Sequence, residues 1–108
     1  MSISAVMSIS LSGMQAQQTR LGAAANNIAN AMTPGYDRLE TEFASTAQGG
    51  VTASVTASGS QTSDETSNVD LASEMLSLME AEIGFKANAA VWETGAEIWD
   101  FLNSINRS

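Results

Sequence analysis

The side chains with the most to do in this sequence are amides. Asn26, Asn27 and Asn30 stand close together, and Thr33-Pro34-Gly35-Tyr36 follows directly. An amide donates and accepts hydrogen bonds but has no proton to transfer near neutral pH, so the cluster can fix a backbone or a neighbouring helix and cannot run acid–base catalysis. The sequence holds no His and no Cys, which removes the imidazole base, the thiol nucleophile and the thiolate metal ligand. Ser and Thr are plentiful, yet none has a base at a recognisable spacing. Glu80 and Glu82 sit two apart on a predicted helix and point to different faces, so they are not a catalytic pair. The carboxylates read as a solvated helix face. No catalytic, cofactor-binding or metal-binding residue is expected.

The amides close a helix that must stop sharply. Proline fixes its own φ and lacks an N–H, and the residue before it is pushed out of the α region. Gly35 is free to take φ > 0, so Pro34 and Gly35 fit the two central positions of a type II turn.

The composition bounds the rest. A chain of 108 residues is one domain at most, and two Trp, one Tyr and three Phe are few for a compact core. The formal charge of −8 argues against nucleic-acid binding. Its only cations, Arg20, Arg38, Lys86 and Arg107, do not cluster. Residues 1–36 carry Arg20 and no carboxylate, whereas Asp70, Glu74, Glu80, Glu82, Glu93, Glu97 and Asp100 fall in the last third. A nearly uncharged end reads as a surface meant to be covered. No apolar run approaches the length of a membrane span, so no membrane insertion is expected. Residues 1–13 interleave Ser with Ile, Val, Met and Leu, unlike the basic and then continuously apolar start of a secretory signal.

Three segments follow from the patterning. In residues 3–31, Met7, Leu11, Met14, Gln18, Leu21, Ala25, Ile28 and Met32 recur in alternating four- and three-residue steps, which predicts a long helix with a heptad-like seam. Alternation among the first Ser residues predicts fraying at its start. Gly13 and Gly22 weaken the helix by about 1 kcal/mol each relative to Ala and suggest close approach of another helix. Residues 45–67 are dominated by Ser, Thr and Gly. Val51 and Val55 would suit a short hairpin arm, but two valines do not offset the ordering entropy, so a flexible linker is the expectation. The third segment opens at Ser67-Asn68-Val69-Asp70, with Ser67 and Asp70 at capping-box spacing and Asn68 as an alternative N-cap. Leu71, Met75, Leu78, Glu82, Phe85, Ala89, Trp92, Ala96 and Trp99 then repeat the four-three step. A second line through Ala72, Leu76, Met79 and Ile83 widens the stripe beyond what one partner helix covers. The fold class expected is therefore all-α, an antiparallel helical hairpin or coiled coil. It divides into 1–36 (first helix and turn), 37–66 (extended segment and linker) and 67–108 (second helix).

Two stretches resemble a known family. Residues 12–21, Ser-Gly-Met-Gln-Ala-Gln-Gln-Thr-Arg-Leu, followed by residues 25–36, Ala-Asn-Asn-Ile-Ala-Asn-Ala-Met-Thr-Pro-Gly-Tyr, are similar to the N-terminal signature of bacterial flagellar axial proteins. Residues 67–75, Ser-Asn-Val-Asp-Leu-Ala-Ser-Glu-Met, and then Phe85-Lys86-Ala87-Asn88-Ala89, resemble the matching C-terminal signature. Asp37 departs from the pattern, standing where a basic residue commonly follows Pro-Gly-Tyr. The middle is too short for the large outer domain of hook and distal-rod proteins, so the likeness is greatest to the small proximal-rod members.

The resemblance implies a structural subunit of the flagellar rod. Such a subunit passes unfolded or partly folded through the type III export apparatus without a cleaved signal. It then polymerises into a helical tube through its N- and C-terminal helices, in the periplasm-spanning basal body. Its partners would be other copies of itself and other flagellar axial proteins. The expected assembly interface comprises Met14, Leu21, Asn26, Asn27, Ile28, Asn30, Thr33, Pro34, Gly35 and Tyr36 from the first segment. From the third it takes Asn68, Val69, Leu71, Met75, Leu78, Phe85, Asn88 and Trp92. The Asn cluster would fix register between subunits through side-chain-to-backbone hydrogen bonds. Two other readings compete: a small secreted helical-hairpin protein of another system, and an acidic adaptor that binds a basic partner.

Overall fold

A computed structural model describes residues 2–60, 62 and 64–107; Met1, Gln61, Ser63 and Ser108, two of them within the expected linker, lie outside the described residues. The chain runs helix, strand, strand, helix: α1 (Ile3–Ala29), β1 (Leu39–Ser45), β2 (Val51–Ala57) and α2 (Leu71–Arg107). Ser2 is extended (φ −85°, ψ 162°) and its hydroxyl accepts the Ala5 N–H at 3.1 Å, so α1 starts on an N-cap rather than on a frayed turn. It ends at Asn30, before Pro34. The cap of α2 is neither Ser67 nor Asn68 but Asp70, whose carboxylate accepts the Ala72 N–H at 3.0 Å. A carboxylate at this end also favours the helix dipole.

The two helices lie antiparallel. A Cβ on Gly95 would stand 2.7 Å from Met7 Cγ, one on Gly13 2.5–2.7 Å from the Asn88 amide, and one on Gly84 2.7 Å from Gln17 Nε2. Arg20 and Glu80 continue the ladder as an ion pair. The missing side chains let the backbones approach closely. Ser10, Gly13, Ala24 and Asn27 on α1 are buried, as are Glu74, Ala81 and Gly95 on α2. At 1.5 Å per residue the helices span about 40 and 55 Å, so α2 runs on past the start of α1. Gly22 has no such role: nothing lies within 4 Å of a Cβ built there.

The all-α expectation is corrected by β1 and β2, which form a two-stranded antiparallel sheet with Leu39 opposite Ala57 and Ser45 opposite Val51. The residues expected as linker turn at 46–50, where Gly49 and Gly50 take φ of 95° and 94° and the Gly49 N–H reaches Thr46 O at 3.0 Å. The ordering comes from packing that the segment lacks in isolation. Leu39, Thr41, Val51 and Ala53 are half-buried on one face, while Glu40, Glu42, Thr52 and Ser54 face water. The inner face lies on α1, where Ser12 Oγ accepts the Val51 N–H at 3.1 Å. The strand backbones pack on α1 and not on α2.

The result is a rod of 69 × 25 × 13 Å rather than a globule. Its radius of gyration of 18.5 Å compares with about 13 Å for a compact chain of this length.

Candidate assembly interface

Asn27 is the most buried side chain of α1, at 0% exposure. Its Oδ1 accepts the Leu39 N–H at 2.7 Å and the Tyr36 hydroxyl at 2.9 Å, and its Nδ2 donates to Leu39 O at 2.9 Å. The amide therefore behaves as an extra strand residue, bonding the first residue of β1 on both sides. Asn26 Nδ2 donates to the Tyr36 hydroxyl at 2.8 Å. Asn30 donates to Asn26 O at 2.9 Å and accepts from Thr33 Oγ1 at 3.1 Å. Within the chain, Asn27 and Asn30 make side-chain-to-backbone bonds and Asn26 bonds the Tyr36 side chain. Between these anchors, Tyr36 N–H bonds Thr33 O at 3.2 Å and Gly35 has φ 74°, as a type II turn requires.

The turn feeds a second node. Asn68 Oδ1 accepts the Arg38 N–H at 2.7 Å, and its Nδ2 donates to Asp37 Oδ1 at 2.8 Å. Asp37 also accepts from the Ser58 hydroxyl and from the Gly59 N–H at 3.0 Å. The Ser58 hydroxyl first, then the Asn68 amide, with lesser help from Gly59 and Arg38, hold this carboxyl below the ordinary Asp value of 3.8. Arg38 reaches on to Glu74, whose side chain is 1% exposed, at 2.9 Å, and to Glu40 at 2.9 Å. The node ties the end of the hairpin to the start of α2. The sequence showed Asp37 as a departure from the family pattern and Arg38 and Glu74 as scattered charges, but not that they and Ser58 meet. Opposite charge on Arg38 and Glu74 was the available signal, but 36 residues separate them and no short-range pattern joins them.

The heptad stripes read from sequence do not form the seam between the helices. Four of the six buried residues on α1, Ser10, Gly13, Ala24 and Asn27, each precede by one position a member of the predicted stripe: Leu11, Met14, Ala25 and Ile28; the other two, Ala16 and Ala23, do not. On α2, Glu74, Ala81 and Gly95 likewise precede Met75, Glu82 and Ala96. The bulky residues are displaced to the flank. Leu21, Leu71, Met75 and Trp92 are exposed, and Met14, Ile28, Leu78, Phe85 and Asn88 half-buried. Thr33, Pro34 and Gly35 are exposed, whereas Tyr36, Asn68 and Val69 are half-buried. Along this flank runs a groove of 470 Å³, lined by Gln17, Leu21, Leu78, Met79, Phe85 and Lys86 among others.

The area left uncovered is large. The chain exposes 7175 Å², against about 5700 Å² for a compact monomer of 11.3 kDa. That excess is greater than the roughly 800 Å² one partner contributes to a standard interface. Among the described residues no group of acidic or other ligating side chains could hold a metal ion, and no helix is long and apolar enough to cross a membrane. What the arrangement offers is extended exposed surface along the helix pair.

Comparison with known proteins agrees with this arrangement. The flagella basal body rod protein family matches residues 7–36, most of α1 and the turn. The flagellar basal body rod FlgEFG C-terminal family matches residues 60–105, nearly all of α2. Together they cover more than two thirds of the chain. The flagellar hook protein FlgE of Brucella abortus is 53% identical over 45 residues, which are 42% of this chain and 11% of the hook protein. FlgE of Brucella suis and of Rhizobium meliloti match with the same identity and coverage. The matched stretch is thus about a tenth of those relatives' length. With an N-terminal rod match on one helix and a C-terminal rod match on the other, the chain belongs to the flagellar basal-body rod and hook family of structural proteins.

Proposed function

We propose that this protein is a subunit of the flagellar rod that polymerises through α1 and α2 into the wall of a helical tube. The observation that carries the reading is the bulky flank. The helix pair closes on Gly, Ala, Ser and Asn, and leaves Leu21, Leu71, Met75 and Trp92 outside. A soluble monomer gains nothing from such a stripe, whereas a subunit surrounded by copies buries it at about 25 cal/mol per Å². The partners are other copies and other axial proteins. The same family membership supports export through the type III apparatus without a cleaved signal and a final place in the basal body.

What supports rod rather than hook is the middle of the chain. Between the two matched regions stand one hairpin and its connections, with no outer domain. The hook reading draws on the identity to FlgE, and one experiment separates the two. Basal bodies purified with and without attached hooks from a strain carrying an epitope-tagged copy should contain the protein in both preparations. Its recovery only with hooks would favour the hook, and its absence from both would remove the axial reading.

A further inference from the structure

We infer that a second copy of this chain docks on the open edge of β2, the two β2 strands pairing antiparallel about a two-fold axis at Ser54 into one four-stranded sheet. The hairpin lies between the two matched family regions, which cover residues 7–36 and 60–105. The contact is therefore separate from the one proposed for the bulky flank.

The edge is defined by the backbone groups that are already used. Ser58 N–H reaches Arg38 O at 2.9 Å, so even-numbered residues bond across the hairpin. Odd-numbered residues point away from it: Asn27 holds both backbone groups of Leu39, and Ser12 holds the Val51 N–H. Among the described residues no hydrogen bond reaches the outward N–H and C=O of Ala53, Val55 and Ala57. The β1 edge is less open. It borders a groove walled by Glu74 and Ser77 of α2, and β1 carries Glu40 and Glu42. Over its seven residues β2 has no charge, no Pro and no bulge, the devices that keep an edge from pairing.

This edge fits itself. With Ser54 opposite Ser54, Ala53 faces Val55 and Val51 faces Ala57, so outward groups meet outward groups. A shift by one residue would set outward groups against used ones. The widths agree as well. Two strands span about 9.5 Å and two packed helices stand about 8–10 Å apart, so each hairpin keeps its own α1 while the two α1 meet beneath the doubled sheet. Ser12, Gln15, Ala16 and Thr19 form an uncharged concavity of 230 Å³ with residues 51–53 on this side, and Val55, 38% exposed, gains cover. The two Glu42 stand three strand spacings apart, about 14 Å, beyond the screening length of about 8 Å. A basic strand would find no carboxylate on β2 to pair with, whereas an uncharged copy needs none.

The absence of Cys gives a clean background for cross-linking. Ser54→Cys, Thr52→Cys and Thr56→Cys are prepared as separate full-length proteins and oxidised alone and mixed. Ser54→Cys should link to itself, because directly opposed residues of a non-hydrogen-bonded pair have Cα atoms about 4.5 Å apart, within disulfide reach. Thr52→Cys should link to Thr56→Cys and little to itself, its like positions standing about 13 Å apart. Equal self-linking at both Ser54 and Thr52, or no linking with a monomer in sedimentation, would overturn the proposal. Ala53→Pro removes an N–H that the hairpin does not use, and should keep the helix content by circular dichroism while weakening dimerisation about tenfold or more. Unchanged affinity would overturn β2 as the contact. A protein that stays monomeric yet enters basal bodies would overturn the dimer alone and leave the rod reading intact.

Discussion

The amide of Asn27 grips the backbone of Leu39 from both sides, accepting its N–H at 2.7 Å and donating to its carbonyl at 2.9 Å. One α1 side chain thereby fixes where the strand begins and how the hairpin lies on the helix.

Replacing Asn27 with Ala should strip three half-buried groups of their Asn27 bonds at once: the Leu39 N–H, the Leu39 carbonyl and the Tyr36 hydroxyl. Each unsatisfied group costs about 1 kcal/mol or more, so a loss of about 3 kcal/mol is expected in urea unfolding. Amide exchange at Leu39 and across β1 should accelerate while that of α2 holds.

Gly13 and Gly22 should respond differently. Gly22→Ala meets open space and should stabilise the soluble protein by about 1 kcal/mol through helix propensity. Gly13→Ala makes the same gain but forces the Asn88 amide off Gly84 O, which it bonds at 2.8 Å, and the loss of about 1 kcal/mol should cancel the gain. Thermal melts of the two variants check the contrast.

Gly35→Ala should leave the helix content nearly intact, because the turn lies outside both helices, while a Cβ at φ 74° strains the exit of the chain from α1. Far-UV circular dichroism should change little and swimming should be lost. Normal motility would show that the turn tolerates the strain.

Asp37 contributes to the acid dependence, as does Glu82, whose carboxyl the Lys86 ammonium holds below its ordinary value. The folded pKa of Asp37 lies below its unfolded value, so its contribution to stability is fully present above the unfolded value of about 3.8 and is lost as pH falls through the lower, folded one. The wild type should therefore lose stability in this range more steeply than Asp37→Asn. Chemical denaturation between pH 5 and about pH 2 measures the difference.

Much of the fold is legible in the sequence. The four-three repeats give two long helices, and Thr33-Pro34-Gly35 gives the turn, because those signals are local. The phase of the packing seam is less so. Periodic bulk marks surface that must leave water without saying which chain covers it. Here the inner seam takes Ser10, Gly13, Ala24 and Asn27, small enough for close approach, and the bulky stripe one position on is left outside. The hairpin had a local sign in Leu39, Thr41 and Phe43 alternating with Glu40 and Glu42. Its ordering depends on contacts with Asn27 and Ser12, twelve and 39 residues away, that local patterning does not reveal.

The most direct test of the bulky flank as a subunit-contact surface is a pair of charge substitutions that the soluble fold should tolerate. Leu71 and Met75 are 49% and 60% exposed, so Leu71→Asp and Met75→Asp should leave the melting curve of the purified protein nearly unchanged. In an assembled tube the same carboxylates would be desolvated without a partner. Basal bodies purified from strains carrying each variant should lack the protein and the structures distal to it. Full incorporation of both variants, with normal swimming, would contradict the assignment of this flank to subunit contact.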